Sequence, residues 1–140
     1  MRFCSIASGS SGNCIYVGSD TTHLLIDAGI SARKIETGLA ELELTGRDID
    51  GILITHEHSD HIAGLAGLCK KYSIPLFATR GTIKAIVNGR QKNIPDPSLF
   101  QEIEADSQMI IKDLKVWPMK ISHDAADPGS YILRDGSQKL

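Results

Sequence analysis

The chain has 140 residues, a size that one domain accommodates, and 41% of them are apolar, enough for a real core. Charged residues make up 23% and the net charge is −2, which excludes a disordered chain and gives no global attraction to nucleic acid or an anionic membrane, though a local patch can override the sum. No apolar run approaches the length that crosses a bilayer, and "MRFCSIASGSSGN" is a poor signal peptide. Three cysteines without a CxxC pair favour reduced thiols in a cytoplasmic protein.

The first elements read as strands: "RFCSIAS" (2–8), "CIYVGS" (14–19) and "HLLIDAG" (23–29), with the small-residue turn "GSSGN" (9–13) between the first two. Together they suit an antiparallel meander. Cys4 and Cys14 either face each other across the first hairpin or serve as small apolar core residues. A helix is expected after Ser31, a good N-cap, with Ile30 and Ile35 as a hydrophobic staple. Ile35, Leu39 and Leu42 share its inner face, and Gly46 ends it. "GILIT" (51–55) reads as a strand buried on both faces. Ile62, Leu65, Ala66, Cys69 and Tyr72 form one helical stripe after it. "IPLFAT" (74–79) is another strand, and "TIKAIVNG" (82–89) a short helix stopped by Gly89. Pro95, Asp96 and Pro97 mark a connection to a strand-rich stretch: "LFQEIE", "QMIIK", "LKVWPMKIS" and "SYILRDG". A meander, then β-α-β-α units, then more strands implies a layered α/β (α+β) fold. "SYILRDGSQKL" reads as a strand, a turn and the start of a returning strand, so a fragment of a larger domain is expected.

"THEHSDH" packs three of the five histidines into six positions, directly after the buried strand. In extended backbone, residues i and i+2 point the same way, so His56 and His58 present two imidazoles on one side. Glu57 points the other way. Asp60 and His61 follow where the chain turns into the next helix. Imidazole with carboxylate suits zinc, manganese or iron. Four ligands on one loop are too many for one tetrahedral ion. Two ions fit better, one on His56 and His58, the other on Asp60 and His61. His123, in "KISHDAADPGS", is either a third histidine ligand for the first ion or an ordinary loop histidine. Asp27 is either an acceptor for the second ring nitrogen of a ligand histidine or a turn-forming aspartate before Gly29. His23, without acidic neighbours, reads as structural or exposed. "GSSGN" either offers N–H groups to a phosphate or is a plain turn. The cations of "RGTIKAIVNGRQK" either track a nucleic-acid backbone or lie on a solvated helix face.

The stretch His56-Glu57-His58-Ser59-Asp60-His61 is an HxHxDH motif, and by it the chain resembles the N-terminal part of the metallo-β-lactamase superfamily. "SGSSGN", "LLIDAGISARKIE", "THEHSDHIAGL" and "SHDAADP" resemble more closely the bacterial WalJ/YycJ (VicX) type, over most of the chain. The resemblance implies an αββα sandwich, a single metallo-β-lactamase-like domain over 1–140 that is incomplete at its C-terminal end, and two divalent ions in the complete enzyme. His56, His58 and His123 would hold the first ion, Asp60 and His61 the second, and the Asp27 strand is a recognised motif. A bridging aspartate and a last histidine would follow beyond Leu140, so this chain is expected to hold one ion or none. The implied activity is metal-assisted hydrolysis by an activated water that Asp60 helps to orient, most naturally of DNA phosphodiester bonds by an exonuclease-like enzyme. Hydrolysis of a small thioester, lactone or β-lactam on the same metals is the alternative. A catalytically silent metal- or partner-binding module, self-associating through the face left by the missing half, is the third reading.

Overall fold

The chain opens with β1 (Arg2–Ala7), β2 (Cys14–Gly18) and β3 (His23–Ile26), paired antiparallel in sequence order. β4 (Gly51–Leu53), β5 (Leu76–Ala78) and β6 (Phe100–Glu102) continue the same sheet in parallel. Parallel neighbours need crossovers. These are α1 (Ala32–Glu41), then α2 (Ser59–Ile62) with α3 (Leu65–Tyr72), then α4 (Arg80–Val87). β7 (Met109–Ile111), β8 (Leu114–Lys120) and β9 (Gly129–Arg134) form a separate antiparallel sheet. This computed structural model describes residues 1–9, 11–89, 93–120 and 129–134. His123 and the turn and returning strand expected after Arg134 lie outside them.

The inner strands of the first sheet, β2 to β5, are largely apolar because each face meets a different core. Tyr16, Leu25, Ile52, Ile54, Leu76 and Ala78 join Ile35, Leu39 and Leu68 on the helical side. Their alternates Val17, Leu24, Leu53 and Phe77 pack against Ile111, Leu114, Val116 and Leu133 of the second sheet. The period-2 alternation of strand side chains thus builds three layers: helices, mixed sheet, second sheet. This mixed sheet with flanking helices is the layered α/β (α+β) arrangement expected from the sequence. Ties at both ends of the strands hold the second sheet in place. At the amino ends of the strands, Asp113 accepts from Ser19 Oγ and Thr22 Oγ1, and Lys112 lies 2.7 Å from Asp50. At the carboxyl ends, the Tyr131 hydroxyl donates to the Ile54 carbonyl at 2.6 Å.

Three local expectations change. α1 starts as expected, with the Ser31 side chain accepting from the Lys34 N–H, but it ends at Glu41 rather than Gly46. Glu43 turns left-handed, and Thr45 caps a new 3-10 turn, Gly46–Asp48. The stripe from Ile62 to Tyr72 is two helices rather than one. The break falls at Gly64, whose N–H reaches the Ala28 carbonyl at 2.7 Å and where a Cβ would lie 2.1 Å from the Ile30 oxygen. Cys4 pairs in register with Tyr16 and Cys14 with Ala7, so the two do not oppose each other; all three cysteines are free thiols.

Candidate metal centre

The site gathers at the carboxyl ends of β3 and β4, where α/β sheets commonly place ligands. Asp27 follows β3 in the left-handed region, φ 64°, which short polar side chains tolerate. Its N–H donates to Leu53 O at 2.8 Å, so it stays in register with β4. The carboxylate, on a residue only 3% exposed, turns onto the chain leaving that strand. Oδ1 accepts the Thr55 N–H at 2.8 Å. Oδ2 accepts the Thr55 hydroxyl at 2.7 Å and faces His61 Nδ1 at 2.6 Å.

A buried carboxylate opposite a ring nitrogen places the proton on that nitrogen, so His61 carries Nδ1–H and leaves the Nε2 lone pair free. Burial of the ring opposes its charged form. The hydrogen bond and charge of Asp27, with the charge of Asp60, outweigh this and raise the His61 pKa above its ordinary value. Thr55 extends the arrangement. Its single proton goes to Asp27, so its oxygen is left to accept, and His56 Nδ1 lies 3.2 Å away. Asp27 and Thr55 therefore bias both histidines toward the tautomer that a metal ligand needs.

His61 Nε2 lies 3.3 Å from Asp60 Oδ2. Two donors each about 2.1 Å from one tetrahedral ion stand about 3.4 Å apart, so this pair already has ligand spacing. The His56 ring, on a residue 8% exposed, has its centroid 4.8 Å from that of His58 and 3.7 Å from that of His61. The three imidazoles and Asp60 thus share one small region, as their spacing implied, and the donor chemistry suits a divalent cation. Among the described residues Asp60 and His61 stand at ligand spacing, and no group of three or more His, Cys, Asp or Glu side chains is placed to hold a metal ion.

The loop is pinned by backbone contacts from distant segments. Asp60 O accepts from Asn13 N at 2.7 Å, His61 O from Ala28 N at 2.9 Å, and Asn13 O from Gly29 N at 2.8 Å. The Asn13 side chain also closes its own turn, accepting from Gly9 N and donating to Gly9 O, which fits the plain-turn reading of "GSSGN". Thr55 and Asn13 escaped the sequence reading, although one adjoins His56 and the other ends a turn already noted. His23 begins β3, at the end of the strand away from the cluster, and is hydrogen-bonded to the Tyr16 hydroxyl. Arg80 is exposed and paired with Glu102 at 3.0 Å.

Residues 7–132 match the metallo-beta-lactamase superfamily model. The chain belongs to the metallo-β-lactamase superfamily. Membership implies use of divalent metal. Exodeoxyribonuclease YycJ of Bacillus anthracis is 41% identical over 140 residues, all of this chain and 52% of that protein. Exodeoxyribonuclease WalJ of Streptococcus pneumoniae is 39% identical over 130 residues, 93% of this chain and 48% of that protein. The chain therefore spans about half the length of these metallo-β-lactamase relatives. Among solved structures, the Rm3 metallo-beta-lactamase superposes with a TM-score of 0.80 at 22% identity, over 99% of this chain and 56% of that one, a likeness of fold.

Proposed function

We propose that this chain carries the metal site of a metal-dependent phosphodiesterase that degrades DNA from an end. The observation that carries the reading is the Asp27–His61–Asp60 arrangement: a buried carboxylate holds one ring nitrogen while the other stands at ligand distance from a second carboxylate. The similarity to two exodeoxyribonucleases, over 100% and 93% of the chain, supports DNA as the substrate class.

His56, His58 and His123 would hold a first divalent ion, and Asp60 with His61 would contribute to a second, with zinc or manganese the best matches and iron compatible. Ions held there supply Lewis acidity, which activates water and offsets charge growing on a phosphoryl oxygen. The chain's own residues do the positioning. Asp27 and Thr55 keep the protons of His61 and His56 on Nδ1, and Asp60 orients the attacking water while serving as a ligand. The cytoplasm is the proposed place of action, on the similarity to the two exodeoxyribonucleases.

The purified chain, supplied with Mn2+ or Zn2+, should be assayed on end-labelled linear DNA beside a chromogenic β-lactam and a thioester. The expected result is metal-dependent nucleotide release from DNA, lost in Asp60→Ala, with the small esters untouched. Turnover of the lactam or thioester without DNA cleavage would replace this reading with the small-substrate hydrolase. Bound metal with no turnover of any substrate would replace it with a silent metal-binding module.

A further inference from the structure

Asn13 makes contacts that a turn does not need. Its Oδ1 accepts the Gly9 N–H at 3.2 Å and one Nδ2 hydrogen goes to Gly9 O at 3.0 Å, which fixes the amide with its other N–H toward the metal loop. Nδ2 then lies 3.2 Å from Asp60 O, 3.3 Å from Asp60 Oδ2 and 3.4 Å from His61 Nε2. Because the last two atoms are themselves 3.3 Å apart, the three form a nearly equilateral triangle. The amide's N–H side, a partial positive charge, is aimed at two donor atoms that the metal reading assigns to one cation. Asp27 settles the far nitrogen of the same ring, so Asn13 meets the lone pair that this tautomer leaves free.

We propose that Asn13 is a positioning residue for the Asp60–His61 ion: its amide holds the carboxylate and the imidazole at ligand spacing before the cation arrives. The inference rests on the metal reading above. It assigns work to the "GSSGN" turn that is neither phosphate binding nor simple chain reversal. Hydrogen-bond partners of metal ligands typically change metal affinity by about 10- to 100-fold.

The test is a calorimetric Zn2+ titration of the metal-free full chain, with Asp60→Ala marking the binding step that belongs to the Asp60–His61 pair. Asn13→Ala should weaken that step by about 10-fold or more and leave any His56–His58 step unchanged. Asn13→Asp keeps the acceptor for Gly9 and replaces Nδ2 by an oxygen at ligand spacing from both donors. It should lower the metal-free melting temperature through repulsion from Asp60, yet bind Zn2+ at least as tightly as the unmodified chain. A purely structural turn would move both melting temperatures and neither affinity. That result, or an Asn13→Asp variant as weak as Asn13→Ala, overturns the role of Asn13 and leaves the metal reading standing. No Zn2+ step sensitive to Asp60→Ala in the unmodified chain overturns the metal reading and this inference with it.

Discussion

Asp27→Asn is expected to weaken metal binding through His61 by about 10- to 100-fold and to abolish most metal-dependent hydrolysis while the protein still folds. The backbone tolerates the change, because asparagine suits the left-handed conformation at φ 64° as well as aspartate does. The amide's orientation is forced. The Thr55 N–H points at the Oδ1 position and cannot turn, so the carbonyl of the asparagine must stay there. Its NH2 then occupies the Oδ2 position, facing His61 Nδ1. Two donors cannot share that contact, so the His61 proton moves to Nε2, the atom that faces Asp60. The ligand lone pair is lost with no change of shape. The same substitution behind a catalytic histidine in serine proteases, where it also sets the wrong tautomer, costs about 10^4 in rate. Nitrogen-15 NMR of His61 in the metal-free protein reads the tautomer directly. A His61 that keeps its proton on Nδ1 in Asp27→Asn would refute this mechanism.

Gly29→Ala should be the most damaging small substitution near the site. A Cβ there would lie 1.7 Å from Asp60 O and 2.7 Å from Asn13 N, both backbone atoms that cannot rotate away. Overpacking in yielding cores typically costs about 1–3 kcal/mol, and a clash with fixed backbone belongs at or above the top of that range. For a chain of this size that lowers the melting temperature by on the order of 10 °C. Relief would have to come from moving the Asp60–His61 segment off Asn13, so metal affinity should fall together with stability. Thermal unfolding and metal titration of the one variant test both halves. An unchanged melting temperature would show that this close approach is not essential.

The parts of the site that the sequence made legible are those coded by local spacing. "GILIT" implied burial on two faces because it is apolar without alternation, and Leu53 does face one core while Ile52 and Ile54 face the other. HxHxDH implied clustered rings because a strand end puts i and i+2 on one side. Asp27 remained ambiguous, since a turn aspartate and a hydrogen-bond acceptor look alike until the fold sets it beside His61. Thr55 and Asn13 were not legible at all. Their contacts cross 28 and 47 positions of chain, and nothing in local periodicity records such distances. The same blindness explains Gly64. The helical stripe runs straight through it, yet its N–H leaves the helix to reach the distant Ala28 carbonyl.

Metal content per chain, measured by elemental analysis on purified protein beside His58→Ala, bears most directly on the claim that the histidine cluster is a divalent metal centre. The expected result is at least one divalent ion per chain, with less in the variant. Protein that takes up no divalent ion, or a content that His58→Ala leaves unchanged, would contradict it.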